Sequence, residues 1–112
     1  MFRGYSKYGA KKTTIDGITF ASKKEAGRYC ELKILLQTGV ITDLVLQPRF
    51  VLQEKCTVRS EKLRAIEYVG DFQCTCEGVT IVEDVKGVLT EVFKLKSKLF
   101  KYKYPHIILK EI

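Results

Sequence analysis

The sequence predicts a single α/β domain in which a central sheet is flanked by helices, and three observations predict it. Short segments alternate apolar and polar residues, the period of a half-buried strand, and are bounded by turn pairs such as Asp16-Gly17 and Glu77-Gly78. Two longer segments repeat their apolar residues at helical spacing instead. In chain order the principal elements run α, β, β, β, α, β, with no internal repeat and no low-complexity stretch.

Residues 1–14 are basic, small and aromatic without a period, and read as a flexible basic arm or an ordered loop. Asp16-Gly17 lies between Ile15 and Ile18, a hairpin signal. Ser22-Lys23-Lys24-Glu25 fits a capping box opening a helix. The helix has an apolar stripe of Ala26, Tyr29, Leu32, Leu35 and Leu36, and Gly39 ends it. Val40 to Leu52 reads as a strand bent or at an edge near Pro48. Gln53 to Arg64 reads as a charged connection. Ala65 to Cys76 and Val79 to Lys86 read as a hairpin turning at Glu77-Gly78, with Gly87 closing its second strand. Thr90 to Tyr104 reads as a second amphipathic helix with Val92, Phe93, Leu95, Leu99 and Phe100 inward. Pro105 stops it, and His106 to Ile112 supplies a last strand.

Length and charge bound the function. The 112 residues suit one domain. A formal net charge of +7, from 20 Lys and Arg against 13 Asp and Glu, favours polyanionic partners, nucleic acid ahead of acidic membrane surfaces. The N-terminus lacks the apolar core of a signal peptide, and no apolar run approaches the roughly 20 residues of a membrane span. A cytoplasmic protein with reduced thiols and no membrane partner is therefore expected. Cys30, Cys56, Cys74 and Cys76 contain no C-x-x-C pair, and the single histidine, His106, is remote from them in sequence, which argues against zinc. Cys74 and Cys76 share a strand face, where they read as small buried hydrophobes.

The hairpin carries the chemistry. If Glu77-Gly78 is a two-residue turn, Cys76 pairs with Val79, and counting outward sets Asp71 opposite Asp84 and Val69 opposite Lys86. Like charges directly opposed on a sheet are destabilising, so two facing aspartates call for a counter-charge. A divalent cation supplies one, since Mg²⁺ takes one or two carboxylates plus water and phosphate oxygens. Lys86, on the same face as Asp84, adds a fixed positive charge of the kind that stabilises a developing oxyanion. A solvated face on which Lys86 neutralises the aspartates has the same pattern. Glu25 begins the apolar stripe of the first helix, where a third acid can point toward the sheet, although a capping role explains it too. Glu83 beside Asp84 leaves a choice, because a bulge would bring Glu83 to the active face; the spacing to Lys86 favours Asp84.

The α-β-β-β-α-β order, the helix-1 Glu25, the Asp in Tyr68-Val69-Gly70-Asp71-Phe72 and the triplet Asp84-Val85-Lys86 resemble the PD-(D/E)XK nuclease superfamily. More narrowly, Thr13 to Phe20, Ser22 to Ala26 and Val82 to Gly87 resemble a family of small phage-encoded endonuclease-like proteins, whose members are assigned as Holliday-junction resolvases or recombination nucleases. The resemblance spans nearly the whole chain. It implies a restriction-endonuclease-like core with a central mixed sheet and a metal-dependent endodeoxyribonuclease selective for branched DNA. It implies Asp71 and Asp84 as metal-binding acids, the Val85 carbonyl as a further ligand, Lys86 positioning the attacking water, and Glu25 as an accessory acid. Mg²⁺ is the implied metal, with Mn²⁺ an alternative, and a symmetric junction needing two cuts implies a homodimer. The acid preceded by Pro in the superfamily is here preceded by Gly70.

Lys11, Lys12, Lys23 and Lys24 flank the first helix, and Lys94, Lys96 and Lys98 line the second. Beside a phosphodiester-cutting site they would hold the DNA backbone without reading sequence, although lysine runs are more often simply solvated faces. A non-catalytic DNA-binding or recombination accessory protein on the same fold is the competing expectation.

Overall fold

The computed structural model describes residues 11–85 and 89–112. Residues 1–10 of the expected 1–14 arm, and Lys86 and Gly87, lie outside the described residues, while Thr13 and Thr14 at the arm's end belong to a strand and not to an arm. Strand β1 (Thr13–Ile15) turns into β2 (Ile18–Phe20) through Asp16 and Gly17, both at positive φ (54° and 76°). That is the two-residue turn whose twist matches antiparallel strands, and it sets Ile15 opposite Ile18. Helix α1 (Lys23–Gln37) follows, with Ser22 at its N-cap accepting the Glu25 N–H at 3.1 Å. The bond satisfies one of the amides that the first turn leaves without a helical partner. Gly39, at φ 82°, ends the helix as expected.

Residues 42–76 form one long antiparallel ribbon. Strands β3 (Thr42–Leu46), β4 (Arg49–Gln53) and β5 (Cys56–Val58) run outward, and β6 (Glu61–Leu63), β7 (Ile66–Val69) and β8 (Phe72–Cys76) return. Leu46↔Phe72 and Arg49↔Val69 belong to one register, so the pairing carries across the break at Gln47-Pro48. The ribbon turns at Arg59 and Ser60, both at positive φ (49° and 70°). The segment expected to be a charged connection, Gln53 to Arg64, is thus largely the β5–β6 hairpin. Its residues are exposed on both faces except for half-buried Leu63, so burial imposes no apolar alternation for a sequence pattern to show.

At the centre of the ribbon, Gly70 donates to the Pro48 carbonyl at 3.0 Å. A Cβ on Gly70 would lie 2.7 Å from Val82 Cγ1 and 3.4 Å from Pro48 Cγ, so the two strands and the buried valine meet only around a glycine. From β8 the chain turns at Glu77-Gly78 into β9 (Val79–Asp84), in the register counted from the turn: Cys76↔Val79 through Phe72↔Glu83. Helix α2 (Glu91–Lys103) is capped by Thr90, whose Oγ1 accepts the Phe93 N–H at 3.1 Å, and leads to β10 (Ile108–Glu111), parallel to β9.

The principal sheet has the order β10-β9-β8-β3, with parallel and antiparallel neighbours, so the fold is the expected mixed sheet with two helices. Each face has its own core. On the α1 face Phe20, Ala26, Tyr29, Leu32, Ile41, Phe72 and Cys74 pack together, with Cys76 against them. On the α2 face the core is Tyr68, Val82 and Phe100, joined by Phe50, Phe93 and Tyr104. A fully buried Leu or Phe contributes roughly 1.5–3 kcal/mol on such a face. One expectation about α2 is corrected: Phe93, Ser97 and Phe100 turn inward, while Val92, Leu95 and Leu99 are exposed. The helix carries two apolar stripes. The aromatic one wins the sheet because Phe100 meets the rings of Phe50, Tyr68 and Tyr104 at 4.9, 5.0 and 5.2 Å, burying more surface than the aliphatic stripe offers. Among the described residues no helix is long and apolar enough to cross a membrane.

Candidate functional site

Where β8 begins, the regular ladder is broken in a way that builds a site. The last ladder pair is Phe72↔Glu83, yet the Asp71 N–H also reaches the Glu83 carbonyl, at 3.0 Å. Two residues of one strand thus meet one residue of the other, as in a β-bulge, and strict alternation stops one residue short of Asp71. The Asp71 side chain takes over the ladder: its Oδ2 accepts the Val85 N–H at 2.7 Å. The Asp71 carbonyl meanwhile accepts from Gln47, at 3.0 Å. Asp71 is therefore fastened to β9 on one side and to the bend of the β3–β4 ribbon on the other.

Asp71 opens onto a cleft on the α1 face. Two adjoining hollows of about 240 and 300 Å³ share Thr19, Phe20, Glu25, Gln47 and Asp71, and the larger is also lined by Lys12. Glu25 reaches it from the first turn of α1, where it is only 9% exposed. The Glu25 backbone N–H donates to the Ser22 cap while its side chain lines the cleft. The structure thus brings together Asp71, Glu25 and the backbone of Val85. Of the expected basic residues, Lys12 stands at the rim, Lys11 and Lys23 are exposed nearby in sequence, and Lys24 donates to the Ile112 carbonyl at 2.9 Å. Lys86 lies outside the described residues.

The two acids of β9 go opposite ways. Glu83 faces α1 and is buried, held by both arms of Arg28: Nε to Oε1 at 2.7 Å and Nη2 to Oε2 at 2.6 Å. Arg28 also reaches Glu31 at 2.8 Å. The paired carboxylates, Glu83 foremost, raise the Arg28 pKa above its ordinary value and keep it charged. Asp84 is fully buried on the α2 face, where its Oδ2 accepts the Tyr68 hydroxyl, and its carbonyl accepts from Ile112 at 2.8 Å. Among the described residues no group of three or more carboxylate, cysteine or histidine side chains is gathered as a metal site. Burial pushes the Cys74 thiol pKa up, as suits a core cysteine.

Sequence reasoning missed Arg28 and Tyr68, the partners of the two β9 acids. Arg28 falls between the apolar positions of α1, and Tyr68 reads simply as a strand aromatic. Neither has a pattern that names its partner in advance.

Helix α2 presents its own basic surface. Lys94 pairs with Glu91 at 3.2 Å, and Lys96 is half-buried. Lys94, Lys98 and Lys101 border a hollow of about 260 Å³ with Leu89, Phe93, Ser97 and Glu111.

The sequence matches one family model over residues 5–112. The chain belongs to the DUF1064 family. That family is described as a protein of unknown function. No curated protein and no solved structure matches the chain. For this DUF1064 protein the functional reading therefore rests on its own residues.

Proposed function

We propose that this DUF1064 protein is a metal-dependent endodeoxyribonuclease, selective for branched or junction DNA, whose active centre is the cleft holding Asp71 and Glu25. The observation that carries the proposal is the bond from the Val85 N–H to Asp71. It ties the first acid to the Asp84-Val85-Lys86 triplet while Glu25 lines the same cleft. Mg²⁺ is commonly held by one or two carboxylates, with water and phosphate oxygens completing its shell, so Asp71 and Glu25 fit it, with the Val85 carbonyl close by in sequence. Mn²⁺ accepts the same oxygen donors. Such an ion would supply Lewis acidity at the scissile phosphate and an acidified water.

The protein's own groups would do the rest. Asp71, fixed by its two backbone neighbours, holds its carboxylate still, which lowers the reorganisation that cleavage requires. Lys86, two residues beyond Asp84, would stabilise the charge developing on the phosphate as water attacks phosphorus and the 3′ oxygen leaves, giving a 5′-phosphate end. Lys12 at the rim would draw in the phosphodiester backbone, with Lys11, Lys23, Lys94, Lys96 and Lys98 adding sequence-independent attraction. A symmetric junction calls for two cuts and hence a homodimer. These steps suit the host cytoplasm, where divalent metal and DNA meet.

One observation favours a second reading. Asp84 is turned to Tyr68 on the far face, which suits a non-catalytic DNA-binding or recombination accessory protein that keeps the fold. Cleavage of a labelled plasmid with Mg²⁺ or EDTA separates the two. Metal-dependent nicking supports the nuclease, and binding without any cutting supports the accessory protein.

A further inference from the structure

The β5–β6 hairpin projects from the domain and separates its charges by face. Cys56↔Leu63, Thr57↔Lys62 and Val58↔Glu61 are its ladder pairs. The Gln53↔Ile66 pair further in keeps the same register, so Lys55 and Arg64 fall opposite each other between the two ladders. Side chains alternate along a strand. Lys55, Thr57, Lys62 and Arg64 therefore share one face, and Glu54, Cys56, Val58, Glu61 and Leu63 share the other. Continued at the same register through the unpaired residues 54–55 and 64–65, the alternation sets Lys55, Lys62 and Arg64 on the first face and Glu54 and Glu61 on the second, while Arg59 stands at the tip. Lys55, Arg59, Lys62 and Arg64 are all exposed, and among the described residues no carboxylate stands within ion-pair distance of them.

Neither face of this ribbon has a core to cover, so folding alone gives no reason for the segregation. In keeping with a projecting element, every residue from Gln53 to Arg64 except half-buried Leu63 is exposed. The ribbon also starts at the candidate site, because Gln47 and Asp71 are bonded at its base. From Asp71 to the turn at Ser60 is 11 residues, roughly 36 Å at about 3.3 Å each. That is close to the roughly 34–36 Å of one turn of a DNA duplex.

We infer that the 53–66 ribbon is a duplex-binding arm: its Lys55–Lys62–Arg64 face lies along the phosphate backbone of the DNA leading into the Asp71–Glu25 cleft. The fit is one of charge and reach. Three cations on one edge of a two-stranded ribbon, with a fourth at its tip, match a line of phosphates, and a two-stranded ribbon is narrow enough to enter the major groove. The arm rests on DNA being the partner, as proposed above, but not on the protein cutting it.

The test is fluorescence anisotropy of a labelled 30-base-pair duplex in EDTA over a series of KCl concentrations. Wild type is set beside Lys55→Gln/Lys62→Gln/Arg64→Gln and beside the opposite-face control Glu54→Gln/Glu61→Gln. A variant with residues 54–65 replaced by Asn-Gly keeps the Gln53↔Ile66 pair and removes the arm, and far-UV circular dichroism checks each fold. The arm predicts at least a tenfold loss of affinity in the triple variant and the shortened one. The slope of log K against log salt should shrink by about 2 to 3, near 0.9 for each phosphate no longer neutralised, and the control should bind as well as wild type. Unchanged binding in the triple variant, equal loss in the control, or no duplex binding by wild type would each overturn the arm. A protein that binds through the arm yet never cuts would overturn only the nuclease. One that cuts and binds undiminished with the arm neutralised would overturn only the arm.

Discussion

Glu83 and Asp84 are neighbours in sequence and both buried, yet the two faces of the sheet treat them differently. On the α1 face Glu83 is met by a guanidinium that matches both its oxygens, and the charges cancel within the fold. On the α2 face Asp84 lies beside an aromatic core and accepts the Tyr68 hydroxyl. The first arrangement is what a structural ion pair looks like. The second buries an acid on the aromatic face with a tyrosine hydroxyl bonded to it. The difference separates an acid whose charge is matched within the fold from one held by a hydroxyl on the face away from the Asp71–Glu25 cleft.

The contrast can be broken most forcefully at Arg28. Arg28→Ala would leave Glu83 buried without its guanidinium and should cost about 3–5 kcal/mol. Urea unfolding reads this directly, and a loss under about 1 kcal/mol would mean that Glu83 is not held as described. Tyr68→Phe removes the hydroxyl from Asp84 and should cost about 1–3 kcal/mol, with the fold retained. Asp84→Asn can still accept from Tyr68 and should lose less stability than Tyr68→Phe in the same unfolding measurement. A larger loss would mean that the Asp84 carboxylate is held by more than the hydroxyl. Gly70→Ala forces Val82 aside where the ribbon crosses β9 and should cost about 1–3 kcal/mol, measured as a fall in the denaturation midpoint. No change there would mean that the strands separate easily, and that Asp71 is less rigidly placed than its bonds suggest.

The smallest effect belongs to Tyr29 on α1. Burial foremost, then its hydrogen bond to Asp16 at 2.9 Å, raises its pKa above 10.0. The neutral phenol is the form the fold favours, so this contribution is fully present below pH 10 and lost as pH rises through the raised value. Tyr29→Phe should flatten the alkaline limb of the stability profile, and an unchanged limb would assign base unfolding to other groups.

Much of this architecture is legible in the residues. Asp16-Gly17, Ser22 with Glu25, Gly39 and Glu77-Gly78 each carry a local backbone requirement, and each appears where that requirement predicts. The β8–β9 register follows from one turn. What lies beyond local pattern was harder to read. The outer hairpin is exposed on both faces and so lacks alternation. In α2 two apolar stripes compete, and only the ring of Phe100 against Tyr68 and Phe50 decides between them. At the site, Asp71 and Glu25 could be named, but the bulge that points Asp71 at the Val85 amide depends on a tertiary crossing at Gly70, which no spacing announces.

The most direct test of the central claim is cleavage of a labelled four-way junction, its linear duplex and a single strand, with Mg²⁺ or with EDTA. Wild type is compared with Asp71→Asn and Glu25→Gln. Metal-dependent cutting, strongest on the junction and reduced at least a hundredfold in Asp71→Asn with a smaller loss in Glu25→Gln, is the predicted result. DNA binding with no cutting of any substrate, or cutting that survives in Asp71→Asn, would contradict it.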